Sequence, residues 1–372
     1  MTSAESVQVR PKVLIDGYFF EKPFGFGRYI SELVDALARA RQDLSVTVAV
    51  PGPVRPGLVE QFAHGAVDLT FLPHALLPLW EQWTVPRFAR AGNYDVIHSP
   101  YNTRAVWTRG VPCVTTVHDL VFLERKVRRQ QGFKDRVHRR YTSTLFGLTT
   151  TRSAVVTTVS GATSRALAER GVTATVVYNT ADRLLRSAPE GAPNGARYFM
   201  HRGGAAPHRN TERVIRAFEM VRRTNTDLQL RIVGMPSGDR HFDKVERDGV
   251  TFLTWQTDAQ IAGLYASAAG VIAPSLEEGF GLPIIEGFGS ATPVITSDID
   301  PMREVAGGAA LLVNPFSVRE IADAIASVAS DLELERSLAQ AGARRYAAFS
   351  GDAVAASMLA VYKRAAALKA CG

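Results

Sequence analysis

The chain has 372 residues, 46% hydrophobic and 21% charged, with a formal net charge of +7 and an isoelectric point near 9.5. The length exceeds what one hydrophobic core usually serves, so two domains are expected. The composition is that of an ordinary soluble globular protein, and no apolar run reaches the roughly 18 residues of a membrane span. The positive balance asks for an acidic partner: nucleic acid, anionic lipid or a phosphorylated substrate.

The opening stretch, MTSAESVQVRPK, lacks the basic-then-apolar pattern of an export signal. The cysteines are Cys113, inside an apolar strand, and Cys371, next to last. That pair suits a reducing compartment and makes no metal framework, so a cytoplasmic protein is expected. Lys12–Ile15 reads as a first strand, followed by a loop with Gly25 and Gly27. Next comes a helical pattern with Ile30, Leu33, Val34 and Leu37 on one face. Ser45–Val50 and Leu69–Leu72 are further strands, with prolines punctuating the interval. In the segment His74–Arg90, Trp80 and Trp83 sit three apart among leucines, which on a helix gathers apolar bulk on one side. Core packing is one reading, and an exposed lip for an acceptor or membrane is the other.

Val96–His98 and Cys113–Val117 continue the strands, and the second runs straight into His118-Asp119. A polar pair at the carboxyl end of an apolar strand is where open α/β sheets place ligands. Between Arg125 and Arg140 there are eight Lys/Arg, including Arg128 and Arg129, against one acid. The run is either a solvated helix face or a patch for a phosphate or an anionic membrane surface. Val155–Val159, a helix from Thr163, and Thr175–Val177 complete a first half. Leu184–Arg197, rich in Pro, Gly and Ser, reads as a linker. The alternation then restarts with strands at Tyr198–Met200, Leu228–Val233, Val250–Leu253, Val271–Ala273, Pro293–Thr296 and Leu311–Val313. Helices are expected at Thr211–Arg222, Ala259–Ala268, Val318–Ala329, Leu332–Ala347 and Asp352–Ala370. Repeated strand–helix alternation predicts α/β architecture with doubly wound parallel sheets, a ligand lying in the cleft between the halves.

The densest chemistry lies in Ala273–Gly289, APSLEEGFGLPIIEGFG. A strand ends, Gly279-Phe280-Gly281 follow, and Leu282-Pro283 begins a helix. Amides at a helix N-terminus have no intrahelical partner and favour an anion, and the glycines let a phosphate approach the backbone. Glu278 and Glu286 flank the loop with seven residues between them. Carboxylates repel phosphate but accept hydrogen bonds from hydroxyls, of which a nucleotide-sugar has two sets. A helix terminus contributes only about 0.3–1 kcal/mol per charge at exposed sites, so a leaving diphosphate needs a cation as well. Asp298-Ile299-Asp300 matches an Asp-x-Asp metal mark but stands alone and reads better as a turn. Arg202 and Arg209, in HRGGAAPHRN, are the better counter-charges, each charge-assisted hydrogen bond adding about 1.5–3 kcal/mol. Trp255, at a strand end, reads either as core or as a surface for a nucleobase.

With these residues together, the sequence resembles the retaining glycosyltransferases of family four, the group 1 type with the GT-B fold. The resemblance covers nearly the whole chain and is most specific in PSLEEGFGLPIIE. GFGRYISEL, TTVHDL, TVSGATSRAL, VVYNTAD, PHRNTERVIRAF and FLTWQTDAQIAGLYASA match further. It implies an acceptor-binding domain over 1–182, a nucleotide-sugar-binding domain over 183–351, and a helix from 352 to 372 crossing back to the first. It also implies transfer of a hexose with retention and without a metal or other cofactor. Glu278 would contact the donor sugar and Glu286 the ribose, while the amides of Gly279, Phe280, Gly281 and Leu282 would hold the diphosphate. His118 matches the histidine near the reacting carbon, and Gly25 and Gly27 match a loop near the phosphates. Arg209 stands where lysine is usual, and the usual upstream arginine would fall near Gly203, beside Arg202. Thr254 and Ala291 replace common glycines.

The expected partners are a GDP- or UDP-linked sugar, with mannose favoured, and a lipid-linked or polysaccharide acceptor in surface-glycan or lipopolysaccharide synthesis. The acceptor would meet the protein at the inner face of the cytoplasmic membrane, near Asp119, Arg128, Arg129, Trp80 and Trp83. No nucleic acid is expected. Two other readings are a nucleotide-sugar epimerase or hydrolase of the same shape and a non-catalytic anion-binding protein. The first would release free sugar without an acceptor, and the second would bind with steep salt dependence.

Overall fold

A computed structural model of the chain describes residues 10–20, 22, 25–40, 44–53, 67–108, 110–123, 133–189, 197–204, 206–234 and 248–370. These fall into two α/β units. The first contains residues up to Val159, then Thr163–Tyr178 and the chain from Gly351, and the second contains Ser160–Ala162 and Asn179–Ser350.

The first unit is built on seven parallel strands: β1 (Lys12–Asp16), β2 (Ser45–Gly52), β3 (Val67–Pro73), β4 (Val96–Ser99), β5 (Cys113–Val117), β6 (Val155–Thr158) and β7 (Ala174–Val176). Their order is β3-β2-β1-β4-β5-β6-β7. β1 is central, with Leu14 aligned to Thr47 on one side and Ile97 on the other. Val13, Leu14 and Ile15 are all fully buried, so this strand is a continuous apolar run, as parallel strands covered on both faces are. Helix α1 (Phe26–Arg39) buries Tyr29, Ile30, Leu33, Val34 and Leu37, the three-and-four spacing of a core-facing stripe. Helix α2 (Phe133–Arg152) follows β5.

The second unit has six parallel strands: β8 (Tyr198–Arg202), β9 (Gln229–Val233), β10 (Val250–Leu253), β11 (Gly270–Ala273), β12 (Val294–Ser297) and β13 (Leu311–Val313). Their order is β10-β9-β8-β11-β12-β13. Phe199, Ile232, Ile272 and Ile295 from four strands pack with Phe218, Ile321 and Ile325 from helices. Helices α3 (Thr211–Arg222), α4 (Asp258–Ala266) and α5 (Leu282–Gly289) carry the residues that matter below. The last helix, α6 (Gly351–Ala370), groups with the first unit. Its Tyr362 hydroxyl lies 2.8 Å from His98 Nδ1, and its Lys369 Nζ lies 2.9 Å from Asp95 Oδ1.

Two expectations change. The segment around Trp80 is helical only from Leu77, and Trp80–Thr84 forms a π turn. The wider turn sends the two tryptophans to different environments. Trp80 is fully buried and donates from Nε1 to Asp16 Oδ1 at 2.8 Å, so it is core and not part of a lip, whereas Trp83 is 63% exposed. The linker expected at Leu184–Arg197 begins instead inside a short helix, Asp182–Arg186, with Leu184 buried. Residues 190–196 lie outside the described residues.

Candidate functional site

In each sheet the chain leaves a central strand, builds one edge, and returns to build the other. The crevice outside the strand ends at that switch is where doubly wound sheets bind ligands. In the second unit the switch falls between β8 and β11, whose following loops hold the arginines and the Gly-Phe-Gly run.

β8 ends at Arg202, and Gly203-Gly204 turn the chain away. A Cβ on Gly203 would lie 2.7 Å from Ile232 Cγ2, so only glycine fits there. A short turn, Pro207–Arg209, then delivers Arg209, and Asn210 follows in the left-handed conformation at φ +62°. Asn210 is buried, and its Nδ2 donates to Pro274 O at 2.9 Å and to Pro315 O at 2.7 Å. The Leu276 amide donates to His208 O at 2.8 Å. These bonds stitch the Arg209 turn to the loop after β11. As a result Arg209 Nη1 sits 2.8 Å from Glu278 Oε1, with the two side chains 29% and 15% exposed. Ser275 Oγ donates to the same carboxylate oxygen at 3.0 Å.

Gly281 precedes α5 at φ +103°, Pro283 occupies the first turn, and no described side chain caps the helix. Phe280 points inward and packs edge-on against Phe349, ring centroids 5.8 Å apart. The aromatic between the glycines therefore anchors the loop, leaving its backbone as the available surface. Glu286, one turn into α5, is almost completely buried. Tyr265 on α4 donates to its Oε2 at 2.5 Å, and Arg202 Nη1 reaches the same oxygen at 3.3 Å. Burial would lower the pKa of Arg202, but Glu286 and Tyr265 outweigh it and raise it, so the cation is secure.

Arg202, Arg209, Glu278, Glu286 and the loop 279–282 thus converge on one switch point. Sequence reasoning passed over Ser275, Tyr265 and Asn210. Asn immediately before a helix is a capping signal that marks the turn, whereas a tyrosine on the buried face of α4 carries no local mark. Trp255, after β10, is 62% exposed, so its side chain is not core. Asp298 accepts from Arg303 Nε at 2.7 Å, and among the described residues no three His, Cys, Asp or Glu side chains gather as a metal site.

In the first unit, His118 follows β5. Its Nε2 lies 3.0 Å from Pro100 O and its backbone N donates to Asn102 Oδ1 at 2.8 Å. Tyr29 meets the ring edge-on with centroids 4.6 Å apart. Burial pushes the His118 pKa down to about 4. A carbonyl can only accept, so the neutral ring carries its proton on Nε2, and Nδ1 keeps a lone pair for a hydroxyl. Asp119 turns back locally, its Oδ1 accepting from the Val121 amide at 3.1 Å. Gly25 stands at φ +57° before α1, and a Cβ on Gly27 would lie 2.2 Å from the carbonyls of Phe19 and Lys22. Both glycines are therefore required by the loop's own geometry. Arg128 and Arg129 lie outside the described residues.

Comparisons with known proteins agree on one family. A model described as "Glycosyltransferase Family 4" matches residues 25–183, and one described as "Glycosyl transferases group 1" matches 196–331. Among curated relatives, the O-antigen chain mannosyltransferase RfbU of Salmonella typhimurium is 33% identical over 138 residues. That match spans 35% of this chain and 38% of the relative, well under two thirds of its length. A D-inositol 3-phosphate glycosyltransferase of Pseudarthrobacter chlorophenolicus is 25% identical over 365 residues, 86% of both chains. Among solved structures, Alr3699/HepE of Anabaena in complex with UDP and glucose has 19% identity and a TM-score of 0.69. It covers 95% of this chain and 100% of that one, a likeness of fold.

Proposed function

The chain belongs to the family 4, group 1 glycosyltransferases of the GT-B type, and from that premise we propose that it moves a hexose, with retention, from a nucleotide-diphosphate sugar to a lipid-linked or polysaccharide acceptor. The observation that carries this reading is the Arg209–Glu278 pair, 2.8 Å apart, set beside the glycine-led N-terminus of α5. The diphosphate binds the amides of Gly279 to Leu282, with Arg209 and Arg202 as counter-charges. A guanidinium and a helix terminus together supply what a metal supplies elsewhere, about 2–4 kcal/mol of charge stabilisation. Glu278 accepts from hydroxyls of the donor sugar and Glu286 from the ribose, while Trp255 offers a face to the base.

The acceptor oxygen attacks the anomeric carbon on the face the diphosphate leaves. The carbon–oxygen bond to phosphate breaks as the new one forms, and the acceptor proton passes to the departing phosphate oxygen. Support for this route over a double displacement comes from Glu278, whose Oε1 is already shared by Arg209 and Ser275 and is a poor nucleophile. His118, neutral at physiological pH, accepts a sugar hydroxyl through Nδ1 and is not a general acid.

The mannosyltransferase relative supports mannose as the sugar. The relatives' names differ in acceptor, so the acceptor class rests on this chain's own surface. Exposed Leu76, Leu79 and Trp83 and the basic face of α2 support a peripheral position on the inner face of the cytoplasmic membrane. No described helix is long and apolar enough to cross a membrane. The test is a donor screen with purified protein, GDP-mannose first, reading released nucleoside diphosphate and the anomeric configuration of the product. Turnover unaffected by a chelator is the expected result. Loss of turnover restored by manganese overturns the metal-free assignment, and an inverted product overturns retention.

A further inference from the structure

Beneath His118 the interior of the first sheet is polar. His98 on β4, Thr116 on β5 and Thr157 on β6 are all buried, where parallel strands covered on both faces usually carry apolar groups. Helix α6 packs across these three strands, and α1 lies against α6. Each helix adds one buried phenol, Tyr29 from α1 and Tyr362 from α6. The groups form one chain. The Tyr362 hydroxyl lies 2.8 Å from His98 Nδ1, and His98 Nε2 lies 2.8 Å from Thr116 Oγ1. Thr116 Oγ1 is in turn 2.8 Å from Thr157 Oγ1 and 3.2 Å from the Tyr29 hydroxyl.

The acceptors fix the protons. Thr157 donates to Thr115 O at 3.3 Å, and a carbonyl can only accept. The Thr157 oxygen is then left to accept, so Thr116 donates to it. Thr116 accepts in return from His98 Nε2–H and from the Tyr29 hydroxyl. With its proton on Nε2, His98 accepts from Tyr362 at Nδ1. Burial holds the His98 pKa down to about 3 and pushes both phenols up, so the ring is neutral and the tyrosines keep the protons they donate. A buried network with every member paired is rigid.

One end of that network touches the candidate site. The Tyr29 ring stands at 87° to the His118 imidazole with centroids 4.6 Å apart. Phe26, three residues earlier on α1, packs on the same imidazole at 60° and 5.0 Å. Among the described residues His118 makes one side-chain hydrogen bond, to Pro100 O. A single bond does not fix the plane of an imidazole, whereas two rings packed against it do.

We propose that Tyr29 is a positioning residue for His118, held in turn through Thr116 and His98 by Tyr362, so that the last helix helps to set the imidazole that meets the donor sugar. The donor sugar rests on the transferase reading above, whereas the hold on His118 does not. The test uses the full chain, first without substrate. Nitrogen NMR of histidine-labelled protein at neutral pH should show His118, identified as the signal that His118→Gln removes, protonated at Nε2 alone. Tyr29→Leu should move it toward a mixture of both tautomers. Tyr29→Phe, which keeps the ring and drops the hydroxyl, should move it less, and Tyr362→Phe least. A His118 signal unmoved in Tyr29→Leu, or in Tyr29→Phe where the leucine variant does not fold, overturns the proposal. A signal unmoved in Tyr362→Phe overturns the part given to the last helix.

Turnover is then read as nucleoside diphosphate released from the donors of the screen above. Tyr29→Leu should lower kcat about tenfold, the worth of one hydrogen bond, with KM within about twofold. In a His118→Ala background the same substitution should add less than about twofold, because side chains that act as a unit are not additive. Losses that simply multiply overturn the proposal, since Tyr29 would then serve the fold and not His118. A His118 signal that responds to Tyr29 in a chain that releases nucleoside diphosphate from none of the donors leaves the positioning contact standing and sinks the transferase reading instead.

Discussion

The two units share a topology and differ in what they put at its switch point. In the first unit β1 ends at Asp16, buried and closed over by its neighbours. Trp80 Nε1 and the Tyr18 amide donate to Oδ1 at 2.8 and 3.1 Å, and Tyr101 donates to Oδ2 at 2.5 Å. Glu81, also fully buried, accepts from Tyr141 and Gln82. In the second unit the corresponding place holds two partly exposed arginines, an uncapped helix and paired glutamates. The same strand order therefore provides a crevice in both, and side chains decide whether it is sealed as core or left open to a ligand. Fold alone does not specify a site.

The largest effect that could break this contrast is at Arg209. Arg209→Ala should lower kcat about 100-fold or more, as removal of one preorganised charge donor does, with little change in melting temperature. Arg209→Lys should recover part of the loss, because charge returns without the fork geometry. An alanine variant with full turnover would show that the open switch point is not where charge develops. Glu278→Ala should follow, losing about 10- to 100-fold from hydroxyl contacts, and unchanged kinetics would remove it from the donor's surroundings.

The sealed switch point should show itself through pH instead. Burial raises the pKa of Asp16 from 3.8 to about 6 and that of Glu81 from 4.5 to about 7. Folded carboxyls then hold protons that the unfolded chain has released. This contribution is complete below about pH 4 and is lost as pH rises through 6 and 7. Melting of the first unit should therefore shift downward by several degrees between pH 5 and pH 8. Glu81→Gln keeps an acceptor for Tyr141 and should flatten that slope, and an unchanged slope would place the charge elsewhere. His118, already neutral above about pH 4, should leave kcat/KM level from pH 6 to 8.

The smallest effect concerns the far end of α5. The Thr292 amide bonds to Gly287 O and the Ala291 amide to Phe288 O, at 2.9 and 3.0 Å. This is the paired closure that ends helices on a left-handed residue, and Ala291 takes that role at φ +51°. Ala291→Gly relieves a strain of about 1–2 kcal/mol against the greater freedom of unfolded glycine. A net gain of up to about 1 kcal/mol, or a few degrees in Tm, is expected from calorimetry.

Local chemistry was legible along the chain. The strands β1, β5, β10 and β13 fall within a residue of their apolar runs. β1 and β5 are largely buried and read as near-continuous runs. β10 and β13, at the two edges of their sheet and partly exposed, are marked only by short apolar runs between turn signals. The loop before α5 was equally plain, since only glycines around an aromatic and a following proline suit a strand that becomes a helix start. Trp80 and Trp83 were not separable by spacing, because Trp80 is held by a tertiary contact, its Nε1 donating to Asp16 Oδ1 at 2.8 Å across 64 residues of sequence, which no local pattern marks. The Arg128–Arg129 part of the basic run lies outside the described residues, and the arginine face of α2 emerges only once the helix fixes which side each side chain takes.

From residue order alone came the alternation of strands and helices, the glycine loop and the acid and base types available to a nucleotide-sugar. These depend on neighbours a few positions apart, where backbone preference and side-chain period act. Only the folded chain decided that Arg209 meets Glu278 across 69 residues of sequence, that Tyr265 closes on Glu286, and that Asp16 is sealed while Arg202 is not. Those outcomes come from parallel strand pairing, which brings the loops after the central neighbours β8 and β11 to the same end of the sheet and settles which charges stay wet.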